Sequence, residues 1–429
     1  MALERTAPLR EALAEAFPDR PFSVDFWDGT TVPGTAPGPR FTVRSPQGVA
    51  YAALAPGELG VGRAYVAGEL EVDDLNAAVE LVRTWRPPAW DRRTQARLVV
   101  AGLRAMGVRR PPPRPSAELH SHGRLHSLLR DSTAVRHHYD LPADFYELWL
   151  DESMTYSCAI FSRGATTLEE AQEAKLELVC TKLGLEEGQR VLDVGCGWGS
   201  FALHAARNHG VSVVGITLSP PQAERARRRA AEAGLADKID IRVQDWRELP
   251  DGQFDAISSI GMVEHVGEDS IDAYAVRLRE LLKPDGRLLN HGIARLDTGD
   301  PTGGAFTQQY VFPDGAPLQL SRMLLACERA GLVPDHIEGF APDYAETLRH
   351  WYTRLDDRLD EATRLVGEER IRVWRLYLRA ARWGFMNDFT SVFQVRLAPE
   401  RSARRASVPA MSSTSPSGSE SGSPLITTA

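Results

Sequence analysis

The segment Val191-Leu192-Asp193-Val194-Gly195-Cys196-Gly197-Trp198-Gly199-Ser200, followed by Phe201-Ala202-Leu203-His204-Ala205-Ala206, constrains the fold of this chain more than any other. An apolar, strand-like run ends in an acidic residue, three glycines alternate with other residues, and a helix begins. Glycines at this spacing let the chain turn sharply and let a ligand approach the main chain closely. The first N–H groups of the helix and its positive dipole end suit a carboxylate or a phosphate. Asp193 puts a carboxylate where a dinucleotide loop would favour phosphate, so a ligand with an amino group is preferred over a pyrophosphate. The competing reading is a bare strand-to-helix turn, and residues downstream must decide.

Around this loop the alternation of strand and helix is regular. Strands are expected at 191–194, 211–216, 239–243, 256–260 and 287–291, with helices between them. That pattern predicts a doubly wound α/β sheet, mostly parallel, with its ligand at the C-terminal ends of the strands. The chain divides, on this reading, into four parts. Residues 1–85 form a small α+β domain with strands at 22–27, 41–44 and 49–54 and a helix at 75–85. Residues 86–134 are a proline-marked basic connector, and 135–397 the catalytic domain. Residues 398–429, rich in Ser, Arg, Pro and Gly, are expected to be disordered.

Charge is uneven. The chain carries a net −8, yet between Arg83 and Arg136 twelve arginines face three acidic residues, a balance of +9. A basic segment on an acidic protein points to an anionic partner, lipid headgroups or nucleic acid, against the alternative of a solvated linker. Within it, 94–107 is amphipathic, with Leu98, Val99, Val100, Leu103 and Met106 on one broad side. Such a helix can lie on a membrane or pack on its own domain. Pro111-Pro112-Pro113-Arg114-Pro115 then enforces an extended break. No run approaches the length of a membrane-spanning helix and no apolar leader core is present. The four cysteines lie far apart without a CxxC pair, so neither a disulfide framework nor structural zinc is expected, and a reducing cytoplasm fits.

The glycine loop, Asp-x-Gly-x-Gly-x-Gly, resembles the S-adenosylmethionine (SAM) loop of class I methyltransferases. Thr217 and Gln222, after the next strand, can supply hydrogen bonds where many such enzymes place an acid for the ribose. Asp245 can accept from the exocyclic amine of adenine and Trp246 can stack on it; cap or turn roles are the alternatives. Three further segments are harder to ascribe to a generic fold: His137-His138-Tyr139-Asp140-Leu141 leading to Tyr156-Ser157-Cys158-Ala159-Ile160-Phe161, then Ser259-Ile260-Gly261-Met262-Val263-Glu264-His265-Val266-Gly267, then Leu289-Asn290-His291-Gly292-Ile293. On these the chain resembles, over about residues 120–397, the cyclopropane fatty acid synthase family, which includes the mycolic acid cyclopropane synthases.

The resemblance implies a seven-stranded class I methyltransferase sheet and methyl transfer from SAM to the double bond of an unsaturated acyl chain. It implies a bicarbonate ion acting as base, held by Cys158, Glu264, His291, the Ile293 backbone and Tyr344. The SAM contacts it carries over are Tyr139, Tyr156, Ser157, Gly195, Gly197, Thr217, Leu218, Gln222 and Trp246. Tyr139, Phe145, Tyr156, Tyr310 and Tyr344 are candidates for shielding a carbocation with aromatic faces. Taken singly, Cys158 reads more readily as a small buried hydrophobe, and Glu264 equally as an acid at a helix start and His291 as a core histidine.

Departures stand beside the match. Val263 replaces an aromatic residue, Gly292 a threonine, and 383–387 does not follow the family pattern. These bear on the fate of the cation, so an exocyclic methylene later reduced to a methyl branch by a partner reductase is the main alternative product. Activity on a small amine is a more distant one. The N-terminal extension and basic segment imply an enzyme peripheral to the inner face of the membrane, acting on phospholipids. The N-terminal domain would hold lipid or mediate homodimer contacts. No nucleic-acid partner and no metal are expected.

Overall fold

A computed structural model describes residues 3–55, 57–107, 111–118, 141–250, 252–296, 305–311 and 317–400. The tail beyond residue 400 and residues 119–140, which include the end of the connector and Tyr139, lie outside the described residues.

The N-terminal part is built on a four-stranded sheet of β1 (Ser23–Phe26), β2 (Thr31–Val32), β3 (Arg40–Val43) and β4 (Leu70–Val72), in the order β2-β1-β3-β4. The Asp28-Gly29 turn joins β1 to β2, and Gly29 has φ of 80°, a conformation glycine adopts without strain. Residues 49–54, read as a strand from sequence, belong instead to the helix Pro46–Leu54. The reason is local. The Ser45 side chain accepts from the Gln47 N–H, and Pro46 sits in the first turn, where its fixed φ favours a helix. The helix Leu3–Ala16 escaped the sequence reading as well.

The amphipathic stretch is the helix Arg92–Met106, capped by Asp91, whose carboxylate accepts from Thr94 N–H. It packs on the N-terminal core through its small residues, Ala101 and Ala105, with Leu98 beside them. Small side chains let the helices approach closely, so the bulkier apolar residues turn outward. Val99, Val100 and Leu103 are 61%, 45% and 56% exposed. The helix therefore both packs on its own domain and presents an apolar stripe.

The larger sheet comprises β5 (Arg190–Val194), β6 (Ser212–Thr217), β7 (Ile239–Val243), β8 (Phe254–Ile260), β9 (Leu282–Arg295), β10 (Leu332–Gly339) and β11 (Thr390–Pro399). Its order is β10-β11-β9-β8-β5-β6-β7. Only β11 runs antiparallel to its neighbours. Helices cover both faces, so the central strands are apolar without alternation; in β5 Val191, Leu192 and Val194 are all buried. The expected seven-stranded, mostly parallel sheet is present. Its last two strands had no clear signal: β10 carries Pro334 and is largely exposed, as an edge strand can be.

The two sheets belong to one compact unit, Met1–Pro399. A charge network helps join them. Arg63 Nε donates to Glu118 Oε2 at 2.7 Å, and the Tyr310 hydroxyl donates to the same oxygen at 3.0 Å. Tyr310, expected among the aromatic shields, is thus engaged at this junction. Among the described residues no helix is long and apolar enough to cross a membrane.

Candidate active site

At the end of β5 the loop turns through Gly195, Gly197 and Gly199, with φ of 76°, 53° and 83°. These values are strained for any residue with a Cβ, which explains three glycines in five positions. The Gly195 and Cys196 N–H groups both donate to Ile216 O at 2.9 Å, pinning the loop to the end of β6. The loop, with Thr217, Leu218, Gln222, Asp245 and Trp246 from the ends of β6 and β7, walls a cavity of about 1350 Å³ including its open mouth. This is the C-terminal edge of the parallel strands, where doubly wound sheets hold ligands.

Asp193 lies at the base of this cavity. Burial pushes its carboxyl up to about 7, and the charge of Lys175 opposes the rise. Lys175 projects from the helix Leu168–Leu183, is 1% exposed, and its ammonium donates to Ser157 Oγ at 3.0 Å. Burial lowers it to about 8, resisted by Asp151, Cys158 and Asp193. The cavity base therefore holds a buried acid and a buried amine close to neutral pH.

A second cavity, about 1320 Å³ in the same measure, adjoins the first. Tyr156, Ser157, Gly261 and His265 line both. Its wall is mainly apolar: Leu348, Tyr377, Trp383, Phe385, Phe389 and Val392. Cys158, Glu264, His291, Ile293 and Tyr344 are gathered on it.

The polar groups here are held in fixed roles. Glu264 sits in a 3-10 turn, Val263–His265, just past β8; its Oε1 accepts from Ile293 N–H at 2.8 Å, and its buried Oε2 has no protein partner. Burial raises this carboxyl to about 7. His291 stands on β9 directly beside Gln394 of β11. Lys182 Nζ donates to Gln394 Oε1 at 2.7 Å, which turns the amide nitrogen toward His291 Nδ1 at 3.0 Å. Gln394 thus donates and Nδ1 accepts, so the proton of the neutral ring is on Nε2. That Nε2 is buried without a protein partner. Burial, then the charges of Lys175 and Lys182, lower His291 to about 3 and keep it neutral. The cavity is therefore furnished with one carboxylate oxygen and one imidazole N–H in need of partners.

Residues 126–395 match the family described as mycolic acid cyclopropane synthetase. This chain belongs to that family. A probable fatty acid methyltransferase of Mycobacterium tuberculosis is 40% identical over 376 residues, 85% of this chain and 88% of that protein. The cyclopropane-fatty-acyl-phospholipid synthase of Escherichia coli strain K12 is 35% identical over 343 residues, 80% and 83% of the two chains. Among solved structures, mycolic acid cyclopropane synthase CmaA1 complexed with SAH and CTAB aligns at a TM-score of 0.59 and 33% identity, covering 62% of this chain and 97% of that one. The sheet and the loop are those of a SAM-dependent methyltransferase.

The predicted residues fall into place unevenly for a cyclopropane synthetase family member. Tyr156, Ser157, Asp193, Gly195, Gly197, Thr217, Leu218, Gln222, Asp245 and Trp246 all line the first cavity. Several have other engagements, Ser157 with Lys175 among them. Asp245 is held by Arg247, whose Nε and terminal nitrogen donate at 2.8 Å to one oxygen each. The Thr217 hydroxyl donates to Gln222 Oε1 at 2.8 Å, leaving the Gln222 amide nitrogen as donor. The Cys158 thiol is fully buried, donates to Ala159 O and is pushed well up by burial, so it is neutral. Of the proposed aromatic shields, Tyr156 and Tyr344 reach the second cavity. Phe145 packs in the core against Trp149 and Trp374.

Sequence reasoning missed Lys175, Gln394, Tyr377 and Arg83. Lys175 had a signal, since a lysine and Gln172 interrupt the otherwise apolar face of a helix. Gln394 had none, because its partner His291 is over a hundred positions away.

Proposed function

We propose that this enzyme transfers the methyl group of SAM to the double bond of an unsaturated phospholipid acyl chain and closes the new carbon into a cyclopropane ring. The observation that carries this reading is the meeting of a polar cavity with an apolar one at Tyr156, Ser157, Gly261 and His265. A methyl donor in the first and an alkene in the second would face each other there.

SAM supplies an electrophilic methyl, whose C–S bond breaks as the alkene π pair forms the new C–C bond. Asp193 would pair with the amino group of the methionine part, and the Gly195 to Gly199 turn lets the donor approach the backbone. The alkene is a weak nucleophile, so alignment by the walls is the main contribution of the protein. Tyr156, Tyr344, Tyr377 and Phe385 place ring faces around the reacting carbons and exclude water.

The pair Glu264 Oε2 and His291 Nε2 fits a small oxyanion that carries one O–H. The O–H would donate to the carboxylate and another oxygen would accept from the imidazole. Bicarbonate has that donor set, and bound there it would supply the base for the proton lost on ring closure. Lys182 and Gln394 fix the imidazole tautomer this needs.

A phospholipid substrate is supported at the mouth. Arg83, from the N-terminal helix Leu75–Thr84, and Arg295 line the second cavity. The Arg83 guanidinium lies 5.9 Å from the Trp383 ring and 5.7 Å from that of Phe389. Among the described residues no carboxylate is ion-paired with it, which suits a lipid phosphate. The exposed Val99, Val100 and Leu103, beside the arginines of the same helix, suit an anionic bilayer at the inner face of the membrane.

The alternative product is an exocyclic methylene awaiting a separate reductase. Val263 and Gly292 favour considering it, since they shape the wall beside Glu264. The test is a lipid profile from a bacterial host making this protein with SAM carrying a fully deuterated methyl. A lipid gaining one carbon, keeping two deuteriums and resisting ozone is the cyclopropane. An ozone-cleavable product with the same label replaces the ring by the methylene, and no labelled lipid overturns the lipid reading.

A further inference from the structure

Behind the glycine loop, on the far side of the helices that support it, four side chains meet for which the methyl-transfer chemistry has no use. The helix Leu168–Leu183 presents Glu177 and Cys180, three positions apart and so on one face. The helix Ser200–His209, which starts directly from the loop, presents His204 and His209. Cys180 Sγ and a ring nitrogen from each histidine lie within 4.8 Å of one another. Glu177 Oε2 is 3.1 Å from Nε2 of His204 and 3.1 Å from Nε2 of His209.

We propose that Glu177, Cys180, His204 and His209 form a tetrahedral site for a zinc-type divalent cation that clamps these two helices together. Donor atoms around one tetrahedral zinc lie about 3.4 Å apart for nitrogen and oxygen and about 3.6 Å apart for nitrogen and sulfur, from the usual bond lengths. The Glu177 oxygen is 3.1 Å from both imidazoles and the sulfur and ring nitrogens all lie within 4.8 Å of one another, so closing on an ion needs only side-chain adjustment. Thiolate, imidazole and carboxylate together suit zinc over magnesium or calcium. One thiolate and one carboxylate neutralise the two positive charges.

The surroundings match a metal site. The Thr181 hydroxyl donates to Glu177 Oε1 at 3.3 Å, which leaves Oε2 toward the histidines. The amide of Asn208 lies 3.2 Å from His204 Nδ1. Turned over, it would accept the Nδ1 proton and free Nε2 for the ion. His209 ends its helix, where the negative end of the dipole favours a cation. Zinc binds cysteine as the thiolate, so binding would expel the Cys180 proton. Sequence spacing gave no hint of this, because the four ligands come in two pairs from separate helices.

The clamp lies behind the methyl-donor cavity, on the helix that carries Lys175 and the helix that follows the loop, so the ion would stiffen that cavity without touching substrate. The test uses the full chain, stripped by a chelator and titrated with Zn2+ against a competing indicator, and separately with Co2+. Expected are one ion per chain, one proton released, a raised Tm, and a Co2+ spectrum with a thiolate charge-transfer band. Cys180→Ser should remove that band. His209→Ala, at a partly exposed helix end, should weaken binding at least a hundredfold and abolish the Tm rise while keeping metal-free activity. Equal Zn2+ affinity in wild type and His209→Ala, a Co2+ complex without the thiolate band, or no stoichiometric binding would each overturn the site. If Cys180→Ser does not fold, His204→Ala with His209→Ala decides by the same readouts.

Discussion

The two cavities share four residues but are built in opposite ways. The methyl-donor cavity is centred on the glycine loop and on the ends of three adjacent strands, β5, β6 and β7, with further walls from 154–157, Lys175 and the segment after β8. Its central groups lie in short runs, 193–198, 216–222 and 244–247, each at the end of one strand. The acyl cavity is assembled from side chains that sit at 83, 156–158, 261–265, 291–295, 344–348 and 377–392. A ligand common to a fold can be held by main-chain geometry, which tolerates little change. A substrate particular to one branch is held by side chains brought together only by tertiary packing, and those can vary one at a time.

If that division is real, the largest effect should come from Glu264→Gln. It should lower kcat by about a hundredfold to ten-thousandfold, the usual worth of general acid–base chemistry, while the Kd for SAM is unchanged. Lipid turnover and calorimetry read the two separately. A matching loss of SAM affinity would mean the cavities do not act independently.

Next is the charge at the base of the donor cavity. Asp193 must be ionised to pair with an amino group, and its carboxyl stands at about 7. SAM affinity should therefore rise with pH through 7 and level off above it, with binding about tenfold weaker at pH 6 than at pH 8. The Lys175 charge lowers Asp193, so Lys175→Met should move this midpoint to higher pH. A titration of SAM affinity that is flat from pH 6 to 8 would remove Asp193 from this role.

Arg83→Glu should act on the acyl side alone. The KM for phospholipid vesicles should rise about tenfold, with kcat and the Kd for SAM little changed, as a charge-assisted phosphate contact of about 1.5–3 kcal/mol implies once partial solvent screening at a half-buried arginine is allowed for. An unchanged KM would move the headgroup away from this mouth.

The same division explains what the sequence disclosed. The glycine loop and five strands of the larger sheet were legible in short-range spacing, which also pointed to Asp193, Thr217, Gln222, Asp245 and Trp246, whereas Tyr156, Ser157 and Leu218 were reached through resemblance. The second cavity was reached through resemblance, since nothing in the local pattern ties Glu264 to Ile293 or His291 to Gln394. Both ties are cross-strand or turn-to-strand contacts set by sheet register. Residues 49–54 misled for a different reason: Val49, Tyr51 and their alanine neighbours suit either period, and the Ser45-Pro46 cap decided for helix. Tyr310 and Phe145 were aromatic in the right stretch of chain, but which way they face depends on packing against Glu118 and Trp374.

The smallest expected effect tests how finely the acyl wall is fitted. A Cβ added to Gly292 would stand 2.3 Å from Val263 Cγ1 and 3.5 Å from Glu264 Oε2. Val263 and Gly292 are thus one feature: the branched side chain occupies the space that any residue larger than glycine would need. Gly292→Ala should cost about 1–3 kcal/mol, the usual range for overpacking, and lower Tm by a few degrees. Val263→Ala opens a small void and should cost about 1 kcal/mol alone. Together the two should cost less than their sum, because the added methyl fills the space the valine gives up. Thermal melts of the four proteins in this cycle measure the coupling, and strictly additive losses would mean that the wall relaxes around each change separately. Lipid products from the same four proteins then report whether moving this pair beside Glu264 shifts the balance between ring and methylene.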